Sequence, residues 1–155
     1  MYRIANKRER VKDIILFVCD GNTCRSPMAE TIFNRLVRGS VLSRYRAMSA
    51  GLSAEEGTGM SEKAQGALEV LGYTADAGFL SRRVTPELLQ KAYIIICMTE
   101  YQREQLFGYE NAELFSDGEV PDPYGGSDED YLRTAIMLQR GILELTDRLR
   151  ASRII

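Results

Sequence analysis

Asp13-Ile-Ile-Leu-Phe-Val-Cys19, Asp20-Gly-Asn-Thr-Cys-Arg25 and Ser26-Pro27 follow one another without a break. The first piece is a continuous apolar run of strand length with β-branched residues, which suits a strand buried on both faces of a parallel sheet. The second is polar and turn-forming. Ser26-Pro27 offers an N-cap and a first helical residue. Beyond it Ala29, Ile32, Phe33 and Leu36 recur on one helical face. Strand, tight loop and helix in this order make the front half of a βαβ unit.

The alternation continues outward from that stretch. Residues 44–50 read as a second strand. Residues 61–71 read as a helix with Ala64, Leu68 and Leu71 inward and Gly72 as its stop. Thr85-Pro86 opens a short helix to about residue 90, and Tyr93-Ile-Ile-Ile-Cys-Met98 is a second buried strand. A short helix over 100–106 and a weaker strand over 112–115 follow. Ser127, with Asp130 three residues on, has the pattern of a capping box. It opens a long helix along which Ala135, Leu138, Ile142, Leu145 and Leu149 alternate by three and four. No internal repeat, linker or low-complexity segment interrupts the pattern. Alternating β and α predicts an α/β fold, a parallel sheet with helices on both faces. In such sheets ligands bind at the carboxyl ends of the strands, which singles out the loops at 19–26 and 116–127.

The whole chain sets further bounds. Its 155 residues, 45% of them hydrophobic, suit one domain with a proper core. Arg3, Lys7, Arg8, Arg10 and Lys12 against Glu9 make residues 1–12 net +4, so residues 13–155 are −6 within the total of −2. The division expected is a basic N-terminal extension over 1–12, a solvated tail, and a single domain over 13–155. A net negative chain is not a general nucleic-acid binder, and no apolar run approaches the ~20 residues that span a bilayer. The N-terminal stretch has charges but no apolar core of a signal peptide, so the cytoplasm is expected. Three cysteines, Cys19, Cys24 and Cys97, argue for free thiols over a disulfide framework. Histidine is absent from the chain. That removes Ser-His-Asp and Cys-His catalysis, and leaves proton transfer to carboxylates, Cys, Tyr or Lys.

Cys19 to Ser26 fits C-x5-R-[ST] between a strand and a helix. A loop of this length can curl so that successive backbone N–H groups point inward, and the helix N-terminus adds its positive end. The result is a cradle for a dianionic oxyanion, built from Asp20, Gly21, Asn22, Thr23, Cys24 and Ser26. Gly21 and Asn22 tolerate the left-handed backbone that curling demands. Cys19 in such a field is expected to ionise well below the free value of ~8.5, which makes it a nucleophile toward phosphorus. Arg25 can grip two phosphate oxygens at once. Ser26 can cap the helix and donate to the thiolate. Read bare, Cys19 is a strand-end thiol and Arg25 a surface arginine, but the strand before and the helix after are the context that chance seldom supplies. Cys97, inside an apolar strand, reads as inert core. No G-x4-G-K-[ST] occurs, which sets aside a nucleotide-hydrolysing P-loop.

Phe17-Val-Cys-Asp-Gly-Asn-Thr-Cys-Arg-Ser-Pro-Met-Ala-Glu30 resembles the signature of the low-molecular-weight protein-tyrosine phosphatases. Ser49-Ala-Gly51 is similar to their next common element, and Asp122-Pro-Tyr124 to their general-acid loop. The resemblance runs over about residues 13–150. It implies a three-layer αβα fold with a four-stranded parallel sheet, a cysteinyl-phosphate intermediate, no metal or other cofactor, and phosphorylated proteins as partners. It makes Asp122 the general acid and Tyr124 an aromatic wall of the pocket. Read alone, Asp122 is a turn aspartate and Tyr124 a partly exposed anchor. Cys24 becomes a redox partner that protects Cys19 from overoxidation, against a small loop-packing side chain.

Within the family, Thr23 stands where tyrosine-specific relatives commonly carry isoleucine. Asp122-Pro-Tyr-Gly-Gly-Ser127 resembles the Asp-Pro-Phe-Gly-Gly-Ser of the protein-arginine phosphatase branch, with Gly125 where the tyrosine branch has a second aromatic. Both features favour phosphoarginine. The related arsenate reductases need two further cysteines, and residues 72–92 contain none. Two departures count the other way. Phe79 falls where the family carries a histidine that buttresses the loop, and Asp20 beside the nucleophile would oppose phosphate binding unless it points away. The alternative from another class is a non-catalytic phosphate or phosphopeptide sensor, for which a thiol and an acid are superfluous.

Overall fold

A computed structural model describes residues 13–154, with side chains to residue 152. The basic stretch expected over 1–12 lies outside the described residues. Strands β1 (Asp13–Cys19), β2 (Tyr45–Gly51), β3 (Ala92–Cys97) and β4 (Ala112–Leu114) form one sheet in the order β2-β1-β3-β4. All three pairings are parallel. The helices are α1 (Arg25–Val37), α2 (Glu62–Val70), α3 (Pro86–Lys91), α4 (Glu100–Gln105) and α5 (Asp128–Ile154). The expected α/β fold, a four-stranded parallel sheet flanked by helices, is the fold observed.

β1 explains the layers. Its side chains alternate between faces, and both faces are covered. Ile15 and Phe17 pack into the larger core with Ile32 and Phe33 of α1, Leu68 of α2, and Leu138, Ile142 and Leu145 of α5. Leu16 and Val18 pack into the smaller one with Leu88 and Leu89 of α3 and Leu106 after α4. The four β1 side chains are wholly buried, each stabilising the fold by roughly 1.5–3 kcal/mol over exposure. Burial on both faces is why the run 14–18 reads as continuous rather than alternating hydrophobicity.

Helix ends follow local chemistry. Ser61 caps α2 by accepting from the Ala64 N–H at 3.1 Å, and Gly72 ends that helix at φ +88°. Thr85 caps α3 from its side chain. Ser127 and Asp130 exchange both bonds of a capping box at the start of α5, at 2.9 and 3.2 Å. α1 departs from expectation. It begins at Arg25 with Cys24 as N-cap and no side-chain cap. Ser26 does not cap the helix, because its hydroxyl is turned onto Cys19 and Asn22 instead.

β2 closes the site from the other side. Gly51 Cα lies so near the loop after β1 that an added Cβ would stand 2.3 Å from the Asp20 carbonyl oxygen. Leu52 and Ser53 N–H donate to the carbonyls of Cys19 and Asp20, both at 2.9 Å. The glycine of Ser49-Ala-Gly51 thus serves close backbone approach. Among the described residues no helix is long and apolar enough to cross a membrane.

Candidate active site

Residues 19–26 curl at the carboxyl end of β1. Asn22 takes φ +55°, the described non-glycine residue in the left-handed region, where asparagine is among the few side chains tolerated. That bend turns the Asn22 N–H toward Cys19 Sγ at 3.3 Å. Ser26 Oγ lies 2.8 Å from the same sulfur. Asn22 Nδ2 donates to Ser26 Oγ at 2.9 Å and to Ser49 Oγ at 3.0 Å. With Ser26 accepting from the amide, its own proton is free to point at the sulfur. Ser49 in turn donates to Glu30 Oε1 at 2.7 Å. A directed chain therefore runs from Glu30 through Ser49, Asn22 and Ser26 to Cys19.

Two contacts from the loop before α3 lock Asn22 further. The Arg82 N–H donates to Asn22 Oδ1 at 2.9 Å, and Ser81 Oγ donates to the Asn22 carbonyl at 2.7 Å. Phe79, counted at the buttressing position, is buried and has no polar group to give. Ser49, Ser81 and the Arg82 backbone hold the loop in its stead. No buried side-chain nitrogen or oxygen among the described residues lacks a partner.

Cys19 itself is 2% exposed. Burial pushes its thiol up from the ordinary value, opposed by the Ser26 hydroxyl and N–H, the Arg25 charge and the Asn22 N–H. The expected depression is not realised in this resting state. The physical reason is burial: the sulfur is cut off from water, and the donors and the Arg25 charge do not offset the lost hydration. Arg25 Nη2 is itself 3.3 Å from Asp20 Oδ2 and 3.6 Å from Asp122 Oδ2. Cys97 is also pushed up by burial, to about 12, consistent with a core thiol.

The other side of the site is the loop between β4 and α5. Arg25 Nη1 donates to the Val120 carbonyl at 3.0 Å, tying the cradle to this loop. Asp122 Oδ1 accepts from the Tyr124 N–H at 3.1 Å, and its side chain is 51% exposed. Tyr124 is 80% exposed. Lys63 Nζ donates to the Gly126 carbonyl at 2.7 Å. Thr23, Met60, Ser61, Tyr124, Gly125 and Tyr131 line an open groove of about 720 Å³ that leads away from the cradle.

The structure brings together all ten residues singled out in sequence, with three adjustments. Asp20 does not point away: it faces Arg25, and its Oδ1 accepts from Gln102 Nε2 at 3.1 Å. Tyr124 stands at the rim rather than forming a closed wall. Cys24 Sγ is turned toward Tyr131 and Ser61, 3.6 Å from each hydroxyl, and the three cysteines are unlinked. Glu30, Ser81, Arg82 and Gln102 were not singled out. Glu30 and the Ser49 hydroxyl lie inside quoted motifs, whereas Ser81, Arg82 and Gln102 carry no local signal.

The chain matches the model of the low molecular weight phosphotyrosine protein phosphatases over residues 14–154. It is 31% identical over 150 residues to the protein-arginine-phosphatase of Bacillus subtilis, covering 90% of this chain and 98% of that one. It is 37% identical over 143 residues to the low molecular weight protein-tyrosine-phosphatase PtpB of Staphylococcus aureus, covering 86% and 96%. A crystal structure of the low molecular weight protein tyrosine phosphatase from T. tengcongensis superposes with a TM-score of 0.83 at 31% identity, covering 88% and 99%.

Proposed function

The chain belongs to the low molecular weight phosphotyrosine protein phosphatase family, and on that premise we propose that it hydrolyses phosphoarginine in proteins in preference to phosphotyrosine, with Cys19 as nucleophile, Arg25 as phosphate clamp and Asp122 as general acid. The chemistry needs one domain over residues 13–155 and no cofactor. The observation that carries the reading is the sulfur of Cys19 under the Ser26 hydroxyl and Asn22 N–H, with Arg25 and Asp122 paired across the cradle.

Asp20, Gly21, Asn22, Thr23, Cys24 and Ser26 wrap the phosphoryl group, their backbone N–H groups stabilising its charge. Arg25 leaves its carboxylate partners to grip two phosphoryl oxygens. The docked dianion is the nearest base for the thiol proton. The resulting thiolate attacks phosphorus, the bond from phosphorus to the leaving nitrogen or oxygen breaks, and its electron pair is neutralised by a proton from Asp122. A cysteinyl phosphate remains. Asp122, now a carboxylate, takes a proton from water as the water attacks phosphorus. The S–P bond breaks, inorganic phosphate leaves, and Ser26 donates to the departing thiolate.

Two observations favour phosphoarginine. An added Cβ at Gly125 would meet nothing within 4 Å, and Tyr131, which also lines the groove, is buried, so a flat phenyl ring finds Tyr124 as the one exposed aromatic face there. Thr23 offers a hydroxyl near the groove where an aliphatic side chain would only exclude water. The relatives themselves divide, one named an arginine phosphatase and one a tyrosine phosphatase. The test is turnover of matched phosphoarginine and phosphotyrosine peptides, with Cys19→Ser as the blank. Faster phosphoarginine turnover is expected. Faster phosphotyrosine turnover keeps the mechanism and overturns the preference. No Cys19-dependent turnover of either peptide leaves a phosphate sensor as the surviving reading.

A further inference from the structure

Asp20 is the oddity of the cradle, a carboxylate in a loop meant for a dianion, and it is held there deliberately. Gln102 is wholly buried. Its Oε1 accepts from the Met98 and Thr99 N–H groups at 2.9 and 3.0 Å. With the oxygen so occupied, the amide can only present Nε2 outward, and that Nε2 donates to Asp20 Oδ1 at 3.1 Å. The remaining oxygen, Oδ2, faces Arg25 Nη2 at 3.3 Å, while Asp122 Oδ2 faces the same nitrogen at 3.6 Å. In the resting site, therefore, two carboxylates converge on one guanidinium. Both are about half exposed, at 53% and 51%, whereas the Arg25 side chain is 4% exposed.

When Arg25 turns to a phosphoryl group, that pair loses its cation. Asp122 enters the reaction as an acid, but Asp20 is left a carboxylate beside a substrate dianion, which is a repulsive arrangement for any phosphoryl group that arrives alone. A substrate whose own cation adjoins phosphorus reverses the sign. Phosphoarginine does so, since its guanidinium nitrogen is bonded to phosphorus and its remaining N–H groups can donate to the Asp20 carboxylate. Phosphotyrosine brings the dianion with a neutral ring.

We propose that Asp20, oriented by Gln102, is a specificity-determining residue whose carboxylate, beside the acid Asp122, receives the guanidinium of phosphoarginine and disfavours uncompensated phosphoryl dianions. The inference rests on the phosphatase reading above and sharpens its substrate. It is tested with Asp20→Asn, which keeps an acceptor for Gln102, and Asp20→Ser, which removes the charge with a different shape. kcat/KM is measured for matched phosphoarginine and phosphotyrosine peptides, together with competitive inhibition by inorganic phosphate. In both variants the phosphoarginine to phosphotyrosine ratio falls on the order of tenfold, and phosphate inhibits several-fold more tightly, as removal of one nearby charge predicts. The ratio effect shrinks as ionic strength rises, because the Asp20 carboxylate is half exposed. A ratio unmoved within about twofold, with both substrates slowed together, overturns the inference and leaves Asp20 a strut for Arg25. If the wild type turns over phosphoarginine and the ratio does not move, only Asp20 loses its role. If the wild type turns over phosphotyrosine alone, the preference fails and this inference with it.

Discussion

The cradle and the acid loop meet over one substrate, yet the fold holds them in different ways. In the cradle, Cys19, Asn22, Arg25 and Ser26 are each at most 3% exposed. Asn22 alone makes bonds through its N–H, its carbonyl and both ends of its amide. In the acid loop, Asp122 and Tyr124 look into solvent, and the ties to the rest of the fold include Val120 to Arg25 and to Met98, Asp122 to Arg25, and Lys63 to Gly126. One side is preorganised around developing charge. The other is free to shift as the leaving group comes and goes, as loops that deliver protons often are. The contrast predicts that mutations will separate chemistry from stability on the acid side and couple them in the cradle.

The largest effect follows from Asp122→Asn. Loss of the general acid should slow peptide turnover by about 10²–10⁴-fold. The melting temperature should stay put, because the side chain is half exposed and caps no helix. With p-nitrophenyl phosphate, whose leaving group hardly needs a proton, the loss should be far smaller. An equal loss of kcat/KM on both substrates would mean that Asp122 acts on binding rather than on the leaving group, whereas an equal loss confined to kcat reports its later role as base toward water.

Asn22→Ala should do both kinds of damage at once. It strips partners from Ser26, Ser49 and the Arg82 N–H and puts alanine at φ +55°. About 2–4 kcal/mol of stability should go, read by denaturant titration, with a fall of about tenfold or more in kcat/KM. A stable but inactive variant would mean that the network serves the chemistry without supporting the fold.

The same contrast decides what the sequence could tell. β1, the loop and α1 are contiguous, so the strand, the cradle and the Cys19, Arg25 and Ser26 trio are legible from some 15 neighbouring residues. Helix ends at Thr85 and Ser127 are legible too, since a cap is local chemistry. What escaped depends on residues brought together from afar. Ser81 and Arg82 reach Asn22 across about 60 positions, and Gln102 reaches Asp20 across 82. A serine, a backbone N–H and a helical glutamine carry no pattern that names such partners. Ser26 misleads for a related reason: Ser-Pro before an apolar face reads as a cap, but a thiol and an amide compete for the hydroxyl. The thiol's upward shift was equally hidden, being set by burial, which only the whole fold decides.

Ser26→Ala tests that last point. The Ser26 hydroxyl is the largest influence opposing burial at Cys19. Removing it should raise the thiol further, so the rise of iodoacetamide alkylation with pH should move to higher pH. Breakdown of the cysteinyl phosphate should slow as well, since the leaving thiolate loses its donor. A profile that does not move would place the proton on the sulfur side of the Cys19–Ser26 contact, with the serine accepting.

The smallest effect belongs to the far end of the chain of bonds. Burial pushes the Glu30 carboxyl above its ordinary value, opposed by the Ser49 hydroxyl and by Arg82 and Arg46, while Asp76 adds to the rise. A carboxyl raised in the folded state keeps a proton that the unfolded chain has released. Stability is therefore lost as pH climbs from the unfolded value of ~4.3 through the folded one, and it is regained on acidification. Glu30→Gln removes the titration and keeps an oxygen to accept from Ser49. It should melt a few degrees above wild type near neutral pH, with the gap closing at about pH 4. A gap that instead persists at acid pH would show that the gain comes from packing. A variant that melts lower at neutral pH would show that the charged acceptor anchors Ser49, and with it Asn22, more strongly than burial penalises it, which would make the rigid side of the site depend on a charge placed well outside the cradle.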